Sequence, residues 1–402
     1  MTVRKGAVST GVGWRPGYLA AAVVFAIGMA GTTLPTPLYG LYQEQIGFSE
    51  LMVTVVFAVY AVAVITVLLV AGNYSDEVGR RPVLLCAMVL SAASAGCFLL
   101  ESGLPLLFAG RLLSGFAAGL LSGAATAAVI ELAGPGQKAR AGFAATAANM
   151  GGLGCGPLLS GFLAQYAPWP LMLPFWVHLG LVAVAGAITW FLPETVAEPK
   201  RWPPLTPQGV TVPPEVKGVF TPASLAAFVG FALLGLFTAV APSFASQTLG
   251  VHNLAFSGAV VFSVFLASTV GQSLTQRIGA RPALPVGCGI LVVGLLLVAS
   301  SLIAESMLLL VLGALCGGVG QGLAFRAALT LVSGAAPARR RGGTISAFFV
   351  VAYAGISVPV VGVGAMATWL GLRQAGLIFS GCVILLAAGA GTYAARRPPT
   401  GP

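Results

Sequence analysis

Charge is scarce in this sequence. Only 20 Lys and Arg and 10 Asp and Glu occur in 402 residues, 7% in all; a soluble domain carries roughly 25%. So few charges cannot cover a water-facing surface, and the solvent implied for most of the chain is lipid. Histidine is scarcer still. His178 and His252 have no motif around them and read as packing residues. The six Cys (Cys86, Cys97, Cys155, Cys288, Cys316, Cys382) show neither CxxC nor metal-ligand spacing and read as small buried hydrophobes. No nucleophile–base pair, metal cluster or phosphate loop is present, so neither an enzyme nor a cofactor is expected. A net charge of +10 on a basic face would suit nucleic acid; here the basic residues form short groups between apolar runs, with no such face.

What is abundant is hydrophobicity, at 57%, and glycine, at 54 residues. Small residues let helices approach closely in lipid. Runs of about 20 apolar residues, the length that spans a bilayer, fall at 17–40, 51–71, 82–100, 104–131, 141–166, 170–192, 223–247, 255–276, 282–304, 307–335, 342–369 and 374–395. The first is basic and then apolar like a signal peptide, but its apolar part is too long for one, so a retained helix is expected. The Pro-rich stretch 193–221 has linker composition. The sequence therefore predicts an all-α integral membrane protein of twelve transmembrane helices: a six-helix bundle over 1–192, a linker over 193–221 and a second six-helix bundle over 222–402.

Of the 20 Lys and Arg, all but Arg373, Arg111 and Arg326 lie at the termini or in alternate connections. Basic connections face the cytoplasm. The expectation is a multi-pass protein of the plasma membrane with both termini cytoplasmic.

The two halves also read as a repeat. DEVGRRP (76–82) follows the second span and QRIGARP (276–282) follows the eighth. Gly79 and Gly279, Arg81 and Arg281, and Pro82 and Pro282 coincide at a shift of 200 residues. Pro157 in the fifth span parallels Pro359 in the eleventh. The fourth span carries Gly110, Gly115 and Gly119; the tenth carries Gly313, Gly318 and Gly322.

On these features the chain resembles the major facilitator superfamily over nearly its whole length. The family's G-x-x-x-D-x-x-G-R-R between helices two and three is complete here as Gly72, Asp76, Gly79, Arg80 and Arg81. The resemblance implies a loop that holds the cytoplasmic side shut against the other half and releases it during transport. Glu131 and Glu194 are its candidate partners. In the fourth span, Arg111 followed by Gly115 and Gly119 resembles an arginine implicated in coupling in proton-linked exporters; the other reading is an arginine that snorkels to water. In the fifth, Gly152, Gly156, Pro157 and Gly161 resemble the exporters' G-x-x-x-G-P-x-x-G-G, with Ser160 where the first glycine of the last pair stands. This implies a hinge and the bacterial drug or metabolite efflux branch of drug–proton antiporters.

Acidic residues are missing from the middle of every span. A membrane-embedded group that changes its protonation is the usual coupling device, so its absence weakens the expectation of cation export. The cavity must be sought among other polar residues: Thr33, Thr36, Tyr39, Tyr60, Asn149, Gln247, Gln272, Gln321, Arg326 and Tyr353. For Arg326 a partner such as Glu131 is the alternative to a cavity role. The set suits a neutral or anionic amphipathic solute. The expected function is secondary active transport of a small organic molecule by alternating access. Efflux of a drug or metabolite by proton antiport leads, with uptake of a small polar or anionic solute as the alternative. A membrane sensor on a transporter scaffold is the remote one. The expected partners are the lipid bilayer, the solute and protons, with no nucleic acid, and a monomer is expected to suffice.

Overall fold

The computed structural model describes residues 17–100, 103–197 and 209–396. Every element in them is helical. Apolar side chains alone would not distinguish helix from strand, but a chain in lipid must satisfy its backbone within each segment. The first half runs α1 (Tyr18–Thr33), a 3-10 turn (Thr36–Leu38), α2 (Tyr39–Ile46), α3 (Glu50–Ala71), the short α4 (Tyr74–Val78), α5 (Arg80–Leu99), α6 (Leu104–Glu131), α7 (Lys138–Tyr166) and α8 (Leu173–Phe191). The second runs α9 (Lys217–Gly235), a π turn (Leu236–Val240), α10 (Ala241–Gln247), α11 (Leu254–Ile278), α12 (Ala280–Ala304), α13 (Met307–Ala335), α14 (Arg341–Leu370) and α15 (Leu372–Arg396). Eleven of the described segments are long and apolar enough to cross a membrane. The twelfth, α7, has the length, at 29 residues, but its many Gly, Ala and polar residues dilute its hydropathy. Part of the expected linker, 198–208, lies outside the described residues, as do Arg4, Lys5, Arg15, Glu101 and Arg397. The linker also ends earlier than expected, because α9 begins at Lys217.

Two spans are broken by proline. Pro35 and Pro37 stop α1 and leave a 3-10 turn before α2, since neither can donate a helical hydrogen bond. In the seventh span, Pro242 has no N–H for the carbonyl of Thr238, four residues back. The chain widens there into the π turn. The Thr238 hydroxyl donates to the Leu234 carbonyl at 2.8 Å.

Between lipid-facing helices there is no hydrophobic drive to associate, so close packing has to supply it. The contacts of glycine carry that burden. A Cβ on Gly152 or Gly156 would lie 2.5 Å or 2.2 Å from the carbonyls of Ala26 or Ala30 on α1. In the second half, Gly355 of α14 packs in the same way on the Phe228 carbonyl of α9, at 2.4 Å. The repeat extends to backbone angles. Gly79 has φ 111° and ψ 153° before α5; Gly279 has φ 88° and ψ 150° before α12. Both positions need glycine because φ is positive. Outward-facing residues such as Val89, Trp176, Trp190 and Leu385 are exposed, as a lipid-facing surface requires. So are Cys86, Cys155 and Cys382; only Cys288 is buried. The expectation of six buried cysteines is corrected: half of them sit on helix faces toward lipid.

The halves meet along two helix pairs, α7 with α11 and α3 with α14. The end carrying α4, Arg80, Arg81, Arg277 and Arg339 to Arg341 is called the basic end below.

Candidate transport site

At the basic end, α3 stops at Ala71 and α4 turns the chain back toward α5. Arg80, the first residue of α5, is the hub. Its Nη2 and Nε donate to the two carboxylate oxygens of Glu131 at 2.8 and 3.1 Å, a bidentate pair. Its Nη1 donates to Ser75 Oγ at 2.7 Å and pairs with Asp76. Glu194 takes the start of α5: its carboxylate accepts the backbone N–H of Arg80 and of Arg81, both at 2.9 Å. A carboxylate at a helix N-terminus is favoured by the unpaired N–H groups and the helix dipole. A Cβ on Gly79 would lie 2.7 Å from Glu194 Oε2, so that glycine is required for contact as well as for φ. Thr195 completes the cluster by donating to Glu131 Oε2 at 2.5 Å. Gly72 caps α3, its carbonyl beside Gly123 of α6.

The loop binds both of its candidate partners, Glu131 and Glu194, which belong to its own half; with the cavity open toward the basic end, these contacts do not cross to the other half. The two arginines are not equivalent. Arg81 places its guanidinium 4.8 Å from the centre of the Trp190 ring and joins neither carboxylate pair. Because Glu131 is taken by Arg80, it does not partner Arg326.

The central cavity, about 270 Å³, lies between the halves. It extends toward the basic end, past Leu68, Thr126, Ile130 and Leu329. Of the ten polar candidates, Thr33, Tyr60, Asn149, Gln272, Gln321, Arg326 and Tyr353 line it. Tyr60 of the first half and Tyr353 of the second both line it. Gln321 accepts from Ser268 Oγ at 2.6 Å, and Gln272 donates to the same hydroxyl at 3.3 Å. Thr36, Tyr39 and Gln247 are not on this cavity. They surround a separate hollow at the opposite end, because Pro35 and Pro242 end the inner parts of their spans before these residues.

Arg111 does not snorkel. It is 2% exposed and lines the cavity. Its Nη1 donates to the Thr32 carbonyl and its Nη2 to that of Phe57 at 3.5 Å. The guanidinium lies over the rings of Tyr60 and Phe57, 4.7 and 5.4 Å from their centres. Among the described residues no carboxylate lines the cavity. Residues that the sequence did not mark form one wall: Phe231, Phe325 and Phe349, with Tyr353. A phenylalanine facing a cavity is indistinguishable in sequence from one in a core. His178 is off the cavity, packed against Gly31 and 3.1 Å from Ser91 Oγ.

The fifth-span motif forms a double seam. Gly152 and Gly156 face α1, while Gly161 faces α11, where a Cβ would meet the Leu254 carbonyl at 2.4 Å. Gly258 returns the contact on the Pro157 carbonyl at 2.2 Å. Pro157 leaves the Leu153 carbonyl without its helical donor. Thr33 of α1 supplies one, at 2.7 Å. Helix α7 runs unbroken through the proline.

At the opposite end the halves are also joined by polar contacts. Glu50, at the start of α3, accepts from Gln247 Nε2 at 2.6 Å and from Ser243 Oγ at 3.3 Å. Gln165 Oε1 caps α11 by accepting from Leu254 N at 2.8 Å. With the α7–α11 seam these contacts seal the end away from the cavity mouth. A hydrogen bond to a charged group contributes about 1.5–3 kcal/mol, less at an exposed site. Glu50→Ala is therefore expected to shift the equilibrium toward opening of that end by about three- to tenfold, consistent with roughly 1 kcal/mol. Distances between spin labels across the hollow measure the shift; an unchanged distribution would count against the clasp.

A helical membrane protein with a solute-sized cavity between two similar halves, sealed at one end, defines a transporter rather than an enzyme. The chain belongs to the Major Facilitator Superfamily, whose family model matches residues 18–359. Its fold is similar to that of a bacterial homologue of the human lysosomal transporter Spinster in an inward-facing, unoccupied conformation. That likeness has TM-score 0.72 and 15% identity, covering 94% of this chain and 96% of that one. A peptide transporter POT in complex with sulfate gives TM-score 0.75 and 14% identity, covering 94% of each. In sequence the chain is similar to the class B tetracycline resistance protein of Escherichia coli, 31% identical over 170 residues, 41% of this chain and 40% of that protein. It is 29% identical to the class D protein of Salmonella ordonez over 150 residues, 37% of each. The chain thus spans only about two fifths of the length of these relatives.

Proposed function

We propose that this secondary transporter exports a small amphipathic organic solute from the cytoplasm across the plasma membrane, in exchange for protons. The observation that carries the reading is the cavity. It reaches the basic end and is sealed at the other by the α7–α11 seam and the Glu50 clasp. With basic connections inside, this is a state that loads from the cytoplasm. The partial likeness to tetracycline resistance proteins supports export as its direction. In this reading the Asp76–Arg80–Glu131 cluster and Glu194 gate the basic end. Arg111 holds the broken end of α1 at the cavity, and the glycines around Pro157 let α7 move against α1 and α11. The two bundles, 1–192 and 222–402, move about the solute, and a single chain suffices.

The cavity favours a neutral or anionic solute, since among the described residues its walls carry two guanidinium groups and no carboxylate. That same feature supports a second reading, uptake of an anion with protons. Everted membrane vesicles separate the two. Export predicts that vesicles from an overproducing strain accumulate solute when respiration acidifies the lumen, and lose it when the pH gradient is collapsed. Intact overproducing cells should hold less solute than controls. Greater accumulation in intact cells would sink the export reading in favour of uptake.

A further inference from the structure

Two cationic side chains share the cavity, and their surroundings differ. Arg111 is held in place: two backbone carbonyls accept from its terminal nitrogens and two aromatic faces cover it, although its Nε has no partner. Arg326 is not. It lines the cavity, and among the described residues no side chain or backbone carbonyl accepts a hydrogen bond from its guanidinium. Its position on α13 lies nine residues from Ala335, about 13 Å at 1.5 Å per residue, so it is half-buried within the membrane span and meets water only through the cavity. Charged side chains at such a depth are rare and mark ion or substrate pathways. Packing does not explain why it is kept. The neighbouring buried positions of α13 are small, Ala324, Ala327 and Ala328, and α13 packs on α11 and α12 through glycines. Gly318 and Gly322 press on the carbonyls of Val264 and Ser268.

What stands beside Arg326 is aromatic. Phe325 lies 5.3 Å from Phe231 and 6.2 Å from Phe349, centre to centre. Tyr353 lies 5.5 Å from Phe231, edge to face. All four line the same cavity. Planar rings and an unpaired guanidinium are complementary to one kind of molecule, a flat ring system bearing an anionic group. Opposite, Asn149 carries a buried carbonyl oxygen with no hydrogen-bond partner, so the far wall offers an acceptor to a hydroxyl or amide of the same molecule.

We propose that the cavity is a subsite for aromatic organic anions, with Arg326 the counter-ion for the anionic group and Phe231, Phe325, Phe349 and Tyr353 the platform for the ring. This deepens the export reading and rests on it only for direction. The binding itself follows from the charge balance: the bound anion replaces the carboxylate that the cavity lacks, in a setting where charges are weakly screened.

The test uses three probes on one ring, naphthalene-2-sulfonate, 2-naphthamide and 2-naphthamidine, which carry negative, zero and positive charge. Calorimetry on the purified full-length protein is expected to rank the sulfonate tightest and the amidine weakest. Arg326→Gln is expected to lower sulfonate affinity by about tenfold, the scale of one hydrogen bond to a charged group, with little effect on the amide. Arg326→Lys keeps the charge without the planar fork and should retain most of the binding. If the amide or amidine binds as tightly as the sulfonate, or if none of the three binds, the subsite is refuted. An unchanged sulfonate affinity in Arg326→Gln refutes the role of Arg326. Should that variant fail to fold, the charge series on the wild type and the Lys variant decide. Everted vesicles keep the two readings apart. A sulfonate that binds but is carried only inward overturns export and leaves the subsite standing. An exported amidine with no sulfonate binding does the reverse.

Discussion

Arg80→Ala is expected to lower transport by about ten- to thirtyfold at normal membrane abundance, while Arg81→Ala costs less than about fivefold. The sequence gives these neighbours the same standing in one motif; their surroundings separate them. The Arg80 side chain is 10% exposed and bridges Asp76, Ser75 and Glu131. Removing it leaves Glu131 with only Thr195 and frees α4 from α6. Hydrogen bonds to charged groups contribute about 1.5–3 kcal/mol. The partially exposed acids, 57% for Asp76 and 36% for Glu131, argue for the lower part of that range. Because each 1.4 kcal/mol is roughly tenfold in an equilibrium, a loss of about 1.5–2 kcal/mol shifts the balance between open and closed basic ends by about ten- to thirtyfold. Arg81 loses only its contact with Trp190, worth about 0.5–1 kcal/mol at an exposed site. Arg80→Lys should fall between, since an ammonium cannot span both oxygens of Glu131. The measurement is initial flux divided by the amount of inserted protein. Equal losses in the Arg80 and Arg81 variants would return the loop to a simple cytoplasmic anchor.

The contrast between these arginines marks where the sequence stops being legible. Helix positions were readable because lipid imposes a length and a composition, and all twelve expected spans have a helix near their predicted limits. The family loop was readable because its glycine and charges occur at fixed spacing. Partners reached through the fold were not. The match between Leu153, stripped of its donor by Pro157, and Thr33, 120 residues away, depends on how α1 and α7 rotate about their axes. Depth was equally hidden. Thr36, Tyr39 and Gln247 lie in the same apolar runs as cavity residues, so sequence does not separate them. The breaks at Pro35 and in the π turn put them beyond the seal instead. The aromatic wall went unmarked because 22 Phe are spread through the chain and hydropathy does not separate lipid-facing, core and cavity positions.

The glycine seam makes the other large prediction. Gly161→Val and Gly258→Val should each unseal the end opposite the cavity mouth. A Cβ at these positions would meet the Leu254 and Pro157 carbonyls at 2.4 and 2.2 Å, so α7 and α11 must separate by about 1 Å to reach ordinary packing distance, before the rest of the valine is placed. Close packing is the main attraction between helices in lipid, and the loss falls on contacts made while this end is shut. The expected result is a shift of population toward opening there, with transport reduced by about tenfold or more as the return step fails. A reporter cysteine at Thr36→Cys, buried in the hollow at 3% exposure, should then react with an impermeant maleimide faster than in the wild-type background. Gly156→Val acts elsewhere, against Ala30 within one half; it should lower the yield of folded protein rather than raise labelling. Gly142→Ala and Gly151→Ala, where a Cβ meets open space, should leave both yield and labelling unchanged. A Gly161→Val protein that labels slowly and transports normally would show that the seam does not hold this end closed.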